Sequence, residues 1–398
     1  MNPSTNGWIK KLLKEVDKQK ESFTVSEAGF YHALRECGFI YGSNVKTVVS
    51  ISNNYDFTRE EISKLNLCLG LYHTHYHCKG IDNFIENTIA FYKAIDAHKP
   101  TFFDGLLIGK NTFSQLEKII HKRVQIDDNV ITKNFNYFLT NALLYVDILA
   151  FHEFLETGKI TSRYLERLES IILNTAIAAL NTKNRKSKYD RSLIKLFESS
   201  LRYQNKTELS FKQTVSLVKN PIEARYALDI ACMSVWTDLK IDKSEDEFLS
   251  RLGKSLNLSE QSIEQAKLAI NKFYSAYHEK IPLLSSKNLV QSFYNNSSAM
   301  VGKLISRNSK RLLKELRESK ELMVLITQST VRELTDEEQK KVQEQVMDII
   351  KSIPSLAIFI LPGGAILLPL FVKFIPKLLP SAFDDNRIIE EKKKTTKN

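Results

Sequence analysis

The chain contains few of the residues that interrupt helices and form tight turns. Its 398 residues include only 13 glycines and 9 prolines. These two residue types are the main signals of turns and loops, so their scarcity argues against a fold of many short strands. We therefore predict an all-α protein. Because 43% of the residues are hydrophobic, the chain can bury a large core, and its length favours two or more domains.

Cysteine is also scarce. The four cysteines, Cys37, Cys68, Cys78 and Cys232, have no paired spacing. This argues against a disulfide-stabilised secreted scaffold and is typical of a reducing compartment. The N-terminal sequence MNPSTNGWIKKLLKEVDKQK has no continuous apolar run before its charges, as a secretory signal would require. We expect the bulk of the chain to be cytoplasmic.

Motifs of common enzymes are missing as well. The sequence has no glycine-rich phosphate loop, no nucleophile elbow and no catalytic order of Ser, His and Asp. The stretch LYHTHYHCKG places His73 and His77 four residues apart and next to Cys78, a spacing that metals use on helices. Neither an HExxH glutamate nor a second ligand pair accompanies them, so we interpret the stretch as a histidine-rich helix end. We predict no catalytic residue, no metal and no cofactor.

The acidic run from Asp238 to Glu247 does not match a calcium-binding loop. With Asp238 at the first position, Lys243 stands where glycine is needed and Leu249 where the bidentate glutamate is needed. We interpret the run as a turn between two helices. With the apolar residues that follow, it resembles the TerB-like helical domain, which implies a helical unit over residues 221–280. The matching residues are Asp238, Glu245, Phe248, Leu249, Leu252 and LNLS at 256–259.

Three residue pairs have the spacing of a capping box, in which a Ser or Thr hydroxyl and a Glu carboxylate bind the unpaired amides of a first helical turn. They are Thr58 with Glu61, Ser244 with Glu247, and Thr335 with Glu338. Each pair predicts a helix start. The apolar segments 134–155 and 162–181 are interrupted by polar residues, which predicts helices buried in a bundle rather than membrane spans.

Basic residues outnumber acidic ones, giving a net charge of +11, which is compatible with nucleic acid, a ribosome or an anionic membrane as partner. Residues 301–322 combine basic residues with an apolar stripe of Val301, Leu304, Ile305, Leu312 and Leu316. Such a helix either lies on anionic lipid or packs against the body of the protein. The predicted interfacial residues of this segment are Lys303, Arg307, Lys310, Arg311, Lys314 and Arg317.

An uncharged run of 21 residues lies between Lys351 and Lys373. As a helix it would extend about 30 Å, close to the thickness of a bilayer core. It and the residues after it are interrupted by Pro354, Pro362, Pro369, Pro376 and Pro380. Interior prolines break soluble helices, whereas membrane segments tolerate them, so a span, a re-entrant or monotopic insertion and a soluble apolar core all stay open. Basic residues at both ends favour the re-entrant or monotopic form.

The middle of this segment is predicted to carry the insertion. The residues concerned are Leu356, Phe359, Leu361, Pro362, Gly363, Gly364, Ile366, Leu367, Pro369, Leu370 and Phe371. Lys373 and Lys377 lie near one end, and their side chains are predicted to extend to the head groups and set the depth of insertion.

The proline spacings of eight, seven, seven and four residues, with Lys373 and the closing LPSAF, resemble the leucine-zipper, EF-hand-containing transmembrane (LETM) family. The resemblance implies a membrane protein with two proposed activities, ribosome binding and cation/proton exchange. Together with the TerB-like unit, the chain is similar to a bacterial LETM-related group associated with biofilms. This implies the bacterial inner membrane as its location.

The sequence departs from the family pattern twice. Only fifteen residues follow Phe383, where the family has its ribosome-binding region, so we expect that region to be nearly absent. Ala365 stands where the family has a glutamate, and no acid occurs between Asp348 and Asp384. Proton-coupled transport normally needs an ionisable group inside the membrane. We therefore expect a membrane-associated, non-catalytic scaffold whose partners are a lipid membrane and the ribosome. The alternatives are a cation/proton antiporter component and a soluble helical protein.

The predicted organisation follows the chain in five parts. They are an N-terminal helical region (1–220), a TerB-like domain (221–280), basic amphipathic connecting helices (281–350), a LETM-like membrane segment (351–383) and a charged tail (384–398).

Overall fold

The computed structural model describes most of the chain in separate ranges. They are residues 1–19, 23–51, 56–96, 112–124, 143–182, 209–236 and 241–277, and residues 302–356 without 303, 304, 317, 330, 331, 333, 354 and 355. Every regular element in these ranges is helical, so the all-α prediction is confirmed. The chain divides into two compact units. Unit 1 contains Met1–Asp127 and Thr132–Lys287, and unit 2 contains Asp128–Ile131 and Asn288–Asn398.

The described part of unit 1 is a set of helices around one hydrophobic core. In chain order they are α1 (Trp8–Asp17), α2 (Glu27–Glu36), α3 (Arg59–Lys79), α4 (Phe84–Asp96), α5 (Phe113–Val124), α6 (Leu144–Thr157), α7 (Ser162–Asn181), α8 (Phe211–Ser216), α9 (Pro221–Val235), α10 (Lys243–Ser255) and α11 (Glu260–Tyr277). The predicted helix 162–181 is confirmed by α7. The predicted helix 134–155 is found from Leu144 onward as α6, and residues 134–142 lie outside the described ranges.

The central helices of unit 1 are α3 and α9. Helix α3 packs against α2, α4, α5 and α6, and α9 packs against α7, α10 and α11. Both are buried around most of their circumference, with 15 of 21 residues buried in α3 and 12 of 15 in α9. Gly70 allows the close approach of α3 to α6, since a Cβ atom there would collide with the side chain of Ile148. A helix enclosed in this way needs partners for its polar side chains as well as its apolar ones.

Some of the charged side chains inside unit 1 form ion pairs between helices. Arg123 of α5 donates from Nε to Oδ2 of Asp147 in α6 at 2.6 Å, and Tyr92 of α4 donates to the same oxygen at 3.1 Å. Arg167 of α7 makes two hydrogen bonds of 2.7 Å to the carboxylate of Glu223 in α9. These pairs connect neighbouring helices, and losing one partner would leave the other charge buried.

Two of the three predicted capping boxes are confirmed and one is wrong. Thr58 and Thr335 cap α3 and the last described helix as expected. In α10, however, the box is formed by Asp242 and Glu245, and the helix begins at Lys243. Ser244 lies inside the first turn and donates its hydroxyl to Asp242. The pairs Asp242–Glu245 and Ser244–Glu247 both have the spacing of a capping box. The first pair forms the box because Glu245 is buried, whereas Glu247 is exposed.

The segment predicted to be TerB-like contains α9, α10 and α11. As expected for a helix pair joined by a turn, Phe248, Leu249 and Leu252 of α10 are buried. Helix α9 also packs closely on α7, and all three helices contribute to the same core as the helices that precede them. The predicted boundary after residue 220 stays a prediction, although the helices on its two sides share one core. Asp238 lies outside the described residues.

The described part of unit 2 is a small three-helix cluster. Its helices are α12 (residues 305–316), α13 (Lys320–Gln328) and α14 (Asp336–Ser352). Ser319 accepts the first-turn amide of Leu322, and Thr335 accepts that of Glu338, so each of the last two helices has a side-chain cap. The buried residues of the cluster are Ile305, Leu312, Leu316, Leu322, Leu325, Ile326, Val342, Val346, Ile350, Ile353 and Leu356.

None of the helices in the described ranges combines the length and the apolar character that crossing a bilayer requires. Of the predicted membrane segment 351–383, the described residues are Lys351, Ser352, Ile353 and Leu356, and the others lie outside the described ranges.

Candidate functional site

Helix α12 has two opposite faces of different chemistry. Its buried residues Ile305, Leu312 and Leu316 point into the apolar cluster of unit 2. At about 100° per residue, positions 307, 310, 311 and 314 fall in an arc of about 100° on the opposite side. We call this set, Arg307, Lys310, Arg311 and Lys314, the basic face. Lys310, Arg311 and Lys314 are exposed and Arg307 is half-buried.

The two lysines of the basic face are free of internal partners. Within the part of the chain that the structure describes, neither Lys310 nor Lys314 forms an ion pair. Two acids lie nearby: Glu315 is half-buried beside the arc, and the helical residue Glu318 is exposed four positions after Lys314. Because Lys310 and Lys314 are four residues apart, like charges repel along the helix, at a cost of about 0.2–0.5 kcal/mol per pair. The arrangement is thus slightly unfavourable for the isolated protein.

Arg311 also has a structural contact. Its Nη2 donates to the carbonyl oxygen of Ser352 at 3.0 Å, at the C-terminal end of α14. A cation at that end satisfies a carbonyl that has no partner within the helix and interacts favourably with the helix dipole. This contact fixes the end of α14 against α12, and the sequence pattern alone did not indicate it.

The outer surface of α14 differs from the basic face because its charges are mixed. Lys340 and Lys351 are exposed on the same side as Glu344. Lys351 lies 2.9 Å from Asp348, and Lys341 pairs with Glu321 of α13. Nη2 of Arg332 donates to Oε1 of Glu338 at 2.7 Å, and this hydrogen bond lowers the pKa of Glu338 to about 2. Two cations of this part of unit 2, Lys341 and Lys351, therefore have acidic partners, whereas Lys310 and Lys314 form no ion pair among the described residues.

The predicted insertion and interface residues are only partly described. Leu356 is fully buried in the cluster of unit 2, and its backbone amide donates to the carbonyl oxygen of Ile353. The stripe residues Ile305, Leu312 and Leu316 are buried in the apolar cluster of unit 2. Of the two predicted alternatives, lying on lipid or packing against the protein, these three residues follow the second. The following predicted residues lie outside the described ranges: Lys303, Arg317, Phe359, Leu361, Pro362, Gly363, Gly364, Ile366, Leu367, Pro369, Leu370, Phe371, Lys373 and Lys377.

The histidine-rich end of α3 is held by backbone carbonyls. Nε2 of His73 donates to the carbonyl of Val25 at 3.0 Å, and Nε2 of His77 to that of Phe23 at 3.1 Å. Burial lowers the pKa of His73 to about 4, so the ring is neutral at pH 7. In the described ranges no group of His, Cys, Asp and Glu has a geometry that could hold a metal ion. These hydrogen bonds and the stacking of His73 on Phe30 at 3.9 Å tie α3 to the segment around α2.

A small polar cavity lies between α2, α9 and α11 of unit 1. Its volume is about 30 Å³, and its wall includes His32, Arg35, Arg225 and Asp229. Tyr31 donates to Oδ2 of Asp229 at 2.6 Å, whereas Oδ1 has no hydrogen-bond partner among the described residues. Burial raises the pKa of Asp229 despite the nearby Arg35 guanidinium. The volume is enough for one or two water molecules and too small for a substrate.

Comparison with known proteins points to unit 2. Residues 334–398 match the family described as LETM1-like, RBD, a ribosome-binding domain. A 59-residue stretch, 15% of this chain, is 41% identical to the mitochondrial proton/calcium exchanger protein of Drosophila melanogaster and covers 6% of that protein. A 120-residue stretch, 30% of this chain, is 27% identical to the mitochondrial LETM1 domain-containing protein YLH47 of Saccharomyces cerevisiae and covers 24% of it. No solved structure matches at a significant level.

The LETM resemblance is confirmed for the C-terminal part of the chain, while the TerB-like and biofilm-related expectations stay predictions. The chain spans only 6% and 24% of the lengths of these two relatives. The expectation that the ribosome-binding region begins only after Phe383 and is nearly absent is wrong, because the matched range begins at residue 334. Helix α14 and its Thr335 cap lie at the start of the match. The capping box marked this helix in the sequence, but its charge pattern did not reveal the similarity to a ribosome-binding family.

Proposed function

We propose that the chain is a membrane-associated, non-catalytic adaptor that binds ribosomes through unit 2. The observation that carries the proposal is the match of residues 334–398 to a ribosome-binding family. The excess of positive charge in the sequence supports it, since ribosomal RNA is a polyanion. Membrane association is supported by the uncharged, proline-rich run after Lys351. The finer expectation of a bacterial inner-membrane scaffold related to biofilms rests on the resemblance alone.

Co-sedimentation of the purified full-length chain with ribosomes tests the proposal. We expect the chain to pellet with ribosomes at low salt and to be released as salt rises, because counterions compete for phosphate. A lysine-reactive cross-linker should connect ribosomes to the exposed Lys340 and Lys351 of the matched segment. The exposed Lys10 and Lys14 of α1 serve as the internal control. Absence of co-sedimentation, or cross-links that come mainly from α1, would refute binding through unit 2.

Membrane association has a separate test. We expect the chain to fractionate with membranes and to stay there after an alkaline carbonate wash, which removes peripheral proteins. Recovery of the whole chain in the supernatant before the wash would instead favour the soluble alternative. This result would leave ribosome binding untouched, since that activity is assigned to the charged helices.

Cation/proton exchange is a second candidate because one relative is named a proton/calcium exchanger. The shared stretch covers only 6% of that relative. In addition, no acid occurs between Asp348 and Asp384 that could couple a proton to an ion. Ion flux in proteoliposomes containing the full chain decides this point. We expect no flux above that of empty vesicles, and flux that is abolished by Lys373→Ala would establish the exchanger instead.

A further inference from the structure

We propose that the basic face of α12 binds the phosphate backbone of RNA, outside the segment that matches the ribosome-binding family. The residues of the basic face lie between 307 and 314, whereas the match begins at residue 334. The inference rests on the proposed function for its assignment to ribosomal RNA. The recognition chemistry rests on the arrangement of charges on α12.

The charges of the basic face are arranged for an external anion. Lys310 and Lys314 are exposed and have no ion-pair partner among the described residues. Their side chains repel one another at the four-residue spacing, and a bound anion would remove this repulsion. On α14, by contrast, lysines pair with Asp348 and Glu321. The two helices belong to the same unit, so the contrast is local to the outer side of α12.

Burial of the apolar stripe favours RNA over a lipid surface. An amphipathic helix that lies in a membrane interface inserts its apolar face between the lipids. In α12 that face is occupied, because Leu312 and Leu316 are fully buried in the cluster of unit 2 and Ile305 is nearly so. What remains exposed is a polar surface, which suits a partner that is bound through charge alone. The backbone of RNA is such a partner.

The dimensions of the basic face suit several phosphates. Residues 307 to 314 extend about 10 Å along the helix axis. A nucleic-acid duplex presents several phosphates over that distance. Because an A-form duplex is read mainly through its shape, phosphates and 2′-hydroxyls, we expect little dependence on sequence. Up to four contacts predict a logarithmic salt slope of magnitude about 3 to 4.

A double charge reversal, Lys310→Glu with Lys314→Glu, tests the inference. The matched control is Lys10→Glu with Lys14→Glu on α1, where two exposed lysines have the same four-residue spacing in unit 1. The probe is a fluorescent 20-base-pair RNA duplex of arbitrary sequence, titrated with the full chain over a range of salt concentrations. We expect the α12 variant to bind about tenfold more weakly and to lose about 2 from the magnitude of the salt slope. The control should keep the affinity and slope of the original chain.

We expect both variants to fold, because glutamate has nearly the helix propensity of lysine and neither Lys310 nor Lys314 is buried. Circular dichroism of each variant verifies this. Equal losses in both variants would overturn the inference, since net charge alone would then explain binding. So would unchanged duplex binding by the α12 variant. Loss of binding to phosphatidylserine vesicles with duplex binding retained would assign the face to lipid and overturn it too.

Ribosome co-sedimentation of the same proteins separates this inference from the proposed function. If the original chain fails to bind ribosomes but the α12 variant loses duplex binding, the proposed function falls and the inference stands. If the original chain and the α12 variant bind ribosomes equally and also bind the duplex equally, the inference falls and the proposed function stands. Weaker binding of the α12 variant to both probes supports both.

Discussion

The two units of the chain differ in where they keep their charged side chains. In unit 1, Arg123 and Asp147 are fully buried, and Arg167 and Glu223 form a largely buried pair. In unit 2, no charged residue that the structure describes is buried. The interior of unit 2 is a cluster of apolar residues, while its charges lie on the surface.

This difference separates structural charges from charges that can meet a partner. In a buried ion pair, each charged group has lost its water and binds its internal partner. The pair therefore holds helices in position and is not available to a ligand. An exposed cation without an internal partner can still exchange its counterion for a phosphate. The buried ion pairs of unit 1 therefore bear on its stability, and the exposed lysines of α12 on recognition.

The largest effect is expected in the interior of unit 1. Asp147→Ala removes the carboxylate that accepts from Arg123 and Tyr92. It should lower the free energy of unfolding by about 3–5 kcal/mol, because the fully buried arginine loses the carboxylate with which it is paired. Urea denaturation of the full chain measures the loss. Asp348→Ala is the control, since its pair with Lys351 is exposed and should contribute less than about 1 kcal/mol. Similar losses in the two variants would contradict the comparison.

A second effect is expected in the apolar interior of unit 2. Leu312→Ala creates a cavity in a cluster that contains few buried residues, and should cost about 2–5 kcal/mol. Hydrogen exchange should show faster exchange in α12, α13 and α14, with α3 unchanged. Leu313→Ala is the neighbouring control because Leu313 is only partly buried. Equal protection from hydrogen exchange in Leu312→Ala and Leu313→Ala would mean that the apolar cluster does not hold unit 2 together.

Acidification should destabilise unit 1 in particular. Burial lowers the pKa of His73 to about 4, below the ordinary value of 6.5. The unfolded chain therefore binds the proton first, and stability is lost as the pH falls from 6.5 towards 4, by at most about 3 kcal/mol. Unit 2 has no histidine, and Glu338, with a pKa of about 2, stays charged over this range.

Unfolding curves of unit 1 between pH 7 and pH 4 measure this loss. His73→Gln keeps a donor near the Val25 carbonyl but cannot titrate, so it should flatten the dependence on pH. An unchanged slope in that variant would show that another group, such as His75, is responsible. Burial lowers the pKa of His75 as well.

The smallest effect is expected at the start of α14. Thr335→Ala removes the hydroxyl that accepts the amide of Glu338, and should cost about 1 kcal/mol. Because the cap is exposed, the loss should be confined to exchange in the first turn of α14. Thr335→Ser should restore the cap. A loss that serine does not rescue would indicate that the methyl group, and not the hydroxyl, stabilises this end.

Much of the local structure could be predicted from the sequence. Few glycines and prolines predicted an all-helical protein, and Thr58 and Thr335 marked two helix starts. Helix 162–181 was predicted with its observed bounds. The error at α10 has a physical cause, since Asp242 and Ser244 both precede a glutamate at the capping spacing. Only the burial of Glu245 in the folded protein distinguishes the pair Asp242–Glu245 from the pair Ser244–Glu247.

The candidate site was less predictable. The basic residues and the apolar stripe of α12 were visible in the sequence, but a helix with this pattern suits lipid and protein partners equally well. The contact of Arg311 with the carbonyl of Ser352 joins residues 41 positions apart, which no local pattern encodes. The paired cations of α14 likewise depend partly on a neighbouring helix, through Glu321.

The sequence by itself determined which segments are helical, where several of them begin, and which side of α12 is apolar, because these properties depend on residues within a few positions of one another. Tertiary structure decided what that apolar side touches and which cations keep an internal counter-charge. Those outcomes depend on residues brought together from distant parts of the chain. The stripe residues Ile305, Leu312 and Leu316 are buried with residues of α13 and α14, and this arrangement leaves Lys310 and Lys314 as a surface for an outside partner.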